Sequence, residues 1–268
     1  MNIRIASFTL LLALSATAQA QLLGTAGQFA VLGAVPNVTN LGPSVVTGSV
    51  GVFPALSITG FPPGIIVPGT GRLHFGDGVA QQAQTDNTAA YGVLAGLASA
   101  PILPALGGQV LIPGIYNAGA ANLTGTLTLN GPGLYVIQTT SLTTAAGPGA
   151  SQVVLTNGAT ACDLWWQVGS SAAIGTFSQM QGNILALTSI TIATGASLSG
   201  RALAQTGTVT LDTNAITACS GGSTPGFVVN ALFGGNAGDV PTLSQWALIL
   251  LATLLAFTAL VQMRRRAR

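Results

Sequence analysis

The chain has 268 residues, of which only 4% are charged: seven Arg, five Asp, no Lys, no Glu, and a single His. A soluble domain ordinarily carries about 25% charged residues, so acid–base or metal chemistry, which draws on clustered His, Glu, Lys or Cys, has few parts to work with here. Between residues 21 and 240 two Arg (Arg72, Arg201) stand against five Asp, a net of −3, which excludes the basic patch that nucleic-acid binding requires, while 49% apolar content is enough to bury a core.

Residues 1–20 read as a secretory signal: Arg4 gives the charged start, Phe8 to Leu14 the apolar centre, and Ala18-Gln19-Ala20 the small-residue cleavage site, so a mature chain would begin at Gln21. One domain is expected over 21–220. It opens with Gly/Thr-rich alternation such as Ser49-Val50-Gly51-Val52, followed by an irregular cap or loop from Gly60-Phe61-Pro62-Pro63-Gly64 to Arg72. The Ala/Gln-rich stretch 77–99 has helical spacing. Asp77 suits its N-terminus, and Pro101 and Pro104 mark its far side. Val79, Ala83, Ala90, Tyr91, Leu94, Ala95 and Leu97 are placed on its apolar face, with Gly92 and Gly96 allowing close backbone approach.

After the helix, three consecutive windows of 18 residues stack: 165–182, 183–200 and 201–218. Each opens with a short apolar strand, passes a Ser/Thr/Gly corner and enters a second strand. A slip of one residue aligns Ser189-Ile190-Thr191-Ile192 with Thr208-Val209-Thr210-Leu211 at a spacing of 19, and Thr126-Leu127-Thr128-Leu129 and Ser141-Leu142-Thr143-Thr144 carry the same pattern. A period of 18 to 19 with alternating strands and glycine corners is the signature of a β-solenoid, in which each coil buries its apolar side against the next. A β-sandwich has similar strands but does not predict a constant period. The expected fold is therefore mainly β, with one long helix packed alongside the coils.

A linker at 221–239 leads to Val240-Pro241-Thr242-Leu243-Ser244-Gln245-Trp246, an uncharged apolar run at 246–263 long enough to span a bilayer as a helix, and Arg264, Arg265, Arg266 and Arg268. Clustered Arg stays cytoplasmic, which puts the preceding domain outside. The three-part layout over 240–268 resembles the IPTL-type C-terminal sorting signal of Gram-negative bacteria, with Pro241, Thr242 and Leu243 as its motif and Val240 in place of the usual Ile. That resemblance implies processing by an exosortase-type membrane enzyme, an at least transient membrane anchor, and delivery to the cell surface or beyond.

Further strings are shared with a known family: Val46-Thr47-Gly48-Ser49-Val50-Gly51-Val52, Ile58-Thr59-Gly60-Phe61-Pro62-Pro63-Gly64, Leu111-Ile112-Pro113-Gly114-Ile115-Tyr116, Trp165-Trp166-Gln167-Val168-Gly169-Ser170-Ser171 and Gly182-Asn183-Ile184-Leu185-Ala186. With the order of strands, Pro-rich loop, helix and coils, residues 24–217 resemble the ice-binding-protein-like family of secreted microbial proteins. The resemblance implies a discontinuous right-handed β-solenoid of triangular section with a helix against one face, and an ice crystal surface as partner.

Ice offers no charge to pair with, so a binder needs a regular, rigid, uncharged surface. In a solenoid, residues i and i+2 share a face about 6.6–6.8 Å apart and neighbouring coils step by about 4.7–4.9 Å. Thr adds a hydroxyl for water, a methyl group, and few rotamers to lose. The alignment offers one outward column as the candidate ice surface: Thr126/Thr128, Ser141/Thr143, Ser171/Ala173, Ser189/Thr191 and Thr208/Thr210, with Ser49/Gly51 as a further pair and Thr176, Thr194 and Thr213 flanking. Leu127, Leu142, Ala172, Ile190 and Val209 are read as pointing inward. No enzyme activity, metal or cofactor is expected. The alternative reading is a structural or adhesive cell-surface protein on the same fold, binding an exopolysaccharide matrix. Cys162 and Cys219, 57 residues apart, either form a disulfide, which export permits, or remain free thiols. His74 and Asp77 lack a nucleophile context and read as residues at the helix start. Trp165 and Trp166 face opposite sides of a strand, so at most one is expected to be exposed.

Overall fold

The computed structural model describes residues 22–219. The chain divides into two units, Met1–Gly226 and Phe227–Arg268, and every described residue belongs to the first. The signal segment 1–20, the linker 221–239 and the sorting segment with its apolar run 246–263 lie outside the described residues. Among the described residues no helix is long and apolar enough to cross a membrane.

The described part is mainly β, with parallel strand pairing throughout and one α-helix. The chain repeatedly visits three ladders in the same order. Ser197–Ala204 pairs through its first half with Ala215–Thr217 and through its second with Phe29–Gly33, and between those turns the chain supplies Val209–Leu211 to a separate sheet. The 18-residue windows are in register, with Trp165 opposite Asn183 and Asn183 opposite Arg201. The slip is also real: Ala172 pairs with Ile190 at a spacing of 18, and Ile190 with Val209 at 19.

The first ladder carries the helix. It runs through Ala100–Pro101, Gly114–Asn117, Tyr135–Thr139, Leu164–Val168, the second halves of Gln179–Ala186 and Ser197–Ala204, then Phe29–Gly33, Ser49–Val52 and Leu73–Phe75. Its central strands are buried on both faces. Trp166 is therefore core and donates Nε1–H to Gln181 O at 2.9 Å, and Trp165, on the opposite side, is buried as well. Neither offers an open stacking surface.

The helix spans Gly78–Ala95 and is capped by Asp77, whose side chain accepts from the N–H groups of Val79 and Ala80. Its buried stripe is Ala80, Ala83, Gln84, Asn87, Ala90 and Leu94. This differs from the apolar face read from the sequence: Val79 and Ala95 are exposed, and two amides sit in the contact instead. Gln84 Nε2 donates to Gly33 O at 2.8 Å and Ala204 O at 3.0 Å, carbonyls near the ends of two strands. Gly92 and Gly96 are exposed, and a Cβ on Gly92 would meet nothing within 4 Å, so no close approach depends on it.

The core lies between the ladders. It includes Val31, Leu127, Leu142, Leu164, Trp166, Ile184, Ile190, Ala202 and Val209, each fully buried. The stack is discontinuous in sequence. Residues 29–75 do not begin it; they continue all three ladders beyond the C-terminal coil, through Val31 opposite Ala202, Val38 opposite Val209 and Val45 opposite Ala215.

Candidate functional site

The sheet with no helix on it has seven strands, in the order Ala120–Leu123, Ser141–Thr144, Ala172–Ile174, Ile190–Ile192, Val209–Leu211, Val38–Asn40 and Ile58–Thr59. Alternation along each strand turns Ala121, Leu142, Ala172, Ile190, Val209 and Val38 inward, all buried. The outward residues then form a column in register: Asn122, Thr143, Ala173, Thr191, Thr210, Thr39 and Thr59. Two residues earlier on each segment stands a second column: Ala120, Ser141, Ser171, Ser189, Thr208, Asn37 and Ser57. Neither column contains a charged residue.

Hydrogen bonds fix several of these side chains. Asn122 Nδ2 donates to Thr143 Oγ1 at 3.1 Å, and Thr208 Oγ1 donates to Asn37 O at 2.7 Å. Ser171 Oγ accepts from Ser189 N at 3.3 Å. The hydroxyls of Thr191 and Thr210 make no hydrogen bond to another described side chain or backbone group and face outward. The flanking Thr176, Thr194 and Thr213 are engaged at the corner instead. Thr176 Oγ1 accepts from Gly147 N, and Thr194 and Thr213 both donate to the Asp212 carboxylate.

Ser141, Thr143, Ser171, Ala173, Ser189, Thr191, Thr208 and Thr210 thus share one face. Thr126 and Thr128 do not. Their strand, Gly125–Asn130, belongs to the third ladder, between Val110–Leu111 and Ser151–Thr156, and Thr126 Oγ1 accepts from Gln152 Nε2 at 2.7 Å. Leu127 does point inward, but from that other side. Ser49 and Gly51 are buried in the helix-bearing ladder, so that pair does not join either. Thr-Leu-Thr-Leu alternation is the same on both open sides. Only spacing separates them, and Thr126 stands 15 residues before Ser141, short of a full coil. The places expected for Thr126/Thr128 and Ser49/Gly51 are filled by Ala120/Asn122, Asn37/Thr39 and Ser57/Thr59.

Residues 32–217 match the family described as ice-binding-like, and residues 240–265 match the IPTL-CTERM motif. An ice-binding protein of Nostoc sp. (strain HG1) is 50% identical over 208 residues, covering 74% of each chain. An ice-binding protein of Colwellia sp. is 33% identical over 218 residues, covering 73% of this chain and 83% of that one. Among solved structures, the ice-binding protein of the Antarctic ascomycete Antarctomyces psychrotrophicus superposes with a TM-score of 0.68 at 38% identity, covering 74% of this chain and 98% of the other. The chain belongs to the ice-binding-like family.

Two other groups singled out in this family member also have defined places. His74 is buried on the strand Leu73–Phe75, with Nδ1 2.8 Å from Asp77 Oδ2 and its ring 5.1 Å from that of Phe29. It braces the helix cap. Among the described residues no three His, Cys, Asp or Glu side chains are grouped so as to hold a metal ion. Cys162 and Cys219 are half-buried, and Asn183 and the buried Arg201 together join their backbone carbonyls.

Proposed function

We propose that this chain binds ice, and that it does so through the seven-stranded sheet. The observation that carries the reading is the register of that sheet: two uncharged columns rich in Thr and Ser, on the side without the helix. Strands step by about 4.7–4.9 Å and outward neighbours along a strand by about 6.6–6.8 Å. These are spacings on which hydroxyl and methyl groups can order a lattice-like layer of water. Binding of this kind needs no turnover and no cofactor. Family membership supports the reading, since the relatives named above are ice-binding proteins. We further infer that the stack winds as a right-handed β-solenoid of triangular section, consistent with three strands per coil.

Export through residues 1–20 and sorting by an exosortase-type enzyme acting on Pro241-Thr242-Leu243 belong to the same proposal. In it the 246–263 run serves as a membrane anchor, at least transiently, and the cell surface or the medium is the destination. The sorting motif at 240–265 and the breaks in the hydroxyl column at Ala173 and Asn122 favour a second reading, a structural or adhesive surface protein holding exopolysaccharide.

Thermal hysteresis and ice recrystallisation inhibition of the purified protein decide between them. The expected result is activity that drops to background in Thr191→Tyr and Thr210→Tyr, whose bulky rings break the plane at its centre. Thr128→Tyr, on the third ladder, should keep full activity. Equal loss from Thr128→Tyr would put the surface on the wrong side, and an inactive parent that binds matrix glycan would establish the second reading.

A further inference from the structure

Cys162 and Cys219 are brought together by a departure from the repeat. The next place along the helix-bearing ladder after Arg201 would fall to Cys219, but Phe29–Gly33 occupies it, with Val31 opposite Ala202. The chain therefore leaves the ladder at 218–219. Cys162 lies in a single turn of 3-10 helix, Ala161–Asp163, just before the strand Leu164–Val168. Coil spacing alone would hold the two cysteines three coils apart, yet one run of side-chain hydrogen bonds ties their carbonyls together.

One polar bracket fixes both backbones. Asn183 Nδ2 donates to Cys162 O at 3.2 Å, and Asn183 Oδ1 accepts from Arg201 Nη1 at 2.9 Å. Arg201 Nη2 donates to Cys219 O at 2.6 Å and to Gly27 O at 2.8 Å. Arg201 is 9% exposed, so its guanidinium is committed to this bracket. A surface cleft lined in part by Gly27, Gln28, Thr217 and Ala218 reaches Cys219.

We propose that Cys162 and Cys219 are a dithiol site that a disulfide oxidant closes into an intrachain bridge, clasping the exit of the coil stack where the chain leaves toward its sorting segment. Interaction with Cys219, and then the Arg201 charge, hold the Cys162 thiol below its ordinary value. Cys219 is pushed up by the same interaction and by burial. The thiolate of one cysteine attacks one sulfur of the oxidant, a protein or small-molecule disulfide, and the expelled thiolate takes a proton from water. The other cysteine then gives its proton to water and attacks the first sulfur in the mixed disulfide, expelling the second thiolate, which takes a proton from water. Two protein thiols are oxidised and one oxidant disulfide is reduced to two thiols.

The site lies apart from the seven-stranded sheet, and ice activity is not its readout. Trypsin cuts after Arg72, Arg201 and Arg264, placing Cys162 and Cys219 on the separate peptides 73–201 and 202–264. The full, folded chain is treated with oxidised glutathione, alkylated in denaturant and digested without reductant. The expected result is no alkylated cysteine and a linked 73–201/202–264 pair that separates on reduction, with Tm falling by roughly 10 °C when the bridge is reduced. Two alkylated cysteines, or bridges between chains, would overturn the proposal.

Discussion

Asp77 serves two neighbours with one carboxylate. Oδ1 accepts from Val79 N at 3.1 Å and Ala80 N at 2.9 Å, and Oδ2 meets His74 Nδ1 at 2.8 Å. The Ala80 N–H is the largest influence on its pKa; with help from His74 and Val79, and against the opposing effect of burial, it holds the carboxyl below its ordinary value. The unfolded chain therefore binds the proton first as pH falls. The stabilisation is complete above the ordinary carboxylate range, near about 4, and is lost as pH drops from there through the lowered folded value. Asp77→Ala should cost about 1 kcal/mol in urea unfolding and flatten this acid limb, whereas Asp77→Asn keeps an oxygen for the cap and should cost less. The cap was legible because capping is local: an acidic residue ahead of a helical stretch needs no tertiary partner to be read. Gln84 was not legible, because its acceptors lie 51 and 120 residues away. A buried amide in a helix face becomes sensible only once the ends of two distant strands are beneath it.

At the scale of strands and corners, glycine decides where a coil turns. Gly182 and Gly200 pair with each other at the bend that carries one strand from the third ladder into the helix-bearing one. Gly182 has φ +97°, and a Cβ there would lie 2.6 Å from Leu164 Cγ and 2.8 Å from Leu164 O. Gly182→Ala should therefore destabilise by about 2 kcal/mol or more, since strained backbone and a backbone collision add. Gly92 gives the opposite sign. It sits exposed in the helix with open space around its missing Cβ, and Gly92→Ala should stabilise by about 0.5–1 kcal/mol. Urea midpoints of the two variants against the parent check both. The coil period and its slip were readable over 165–218 because those coils carry no insertion. Between Thr143 and Ala173 the step is 30 residues, and between Asn122 and Thr143 it is 21. Irregular steps erased the phase by which Asn122 could have been told from Thr126. Thr39 and Thr59 were hidden for a different reason: Thr39 lies beside Thr210 in space and Thr59 beside Thr39, yet both precede Thr210 by more than 150 residues in sequence.

Arrays of stacked strands ordinarily fray from their ends, each held by one neighbour. Here both ends of the described chain lie inside the stack, where the Phe29 strand meets the Ala202 strand, and the outer coils come from mid-chain segments around 58–75 and 100–123. The helix joins those two ends. It begins three residues after Phe75, on one terminal strand, and stops five before Ala100, on the other. Its 18 residues span roughly 27 Å. The nine-strand ladder beneath it extends roughly 38 Å, so helix and connectors together cover its length. A tie across both vulnerable ends should make the array unfold as one unit. In the full chain carrying Trp246→Phe, emission comes only from Trp165 and Trp166, mid-stack on the helix-bearing ladder, while far-ultraviolet circular dichroism reports every coil. The two signals should give one coincident urea transition. Ala89→Pro, at an exposed position in the helix interior, should lower stability by about 3 kcal/mol and shift both signals together. Two separated transitions in the parent, or a shift in the dichroism alone in the Pro variant, would show that the end coils melt independently and that the helix is not the tie.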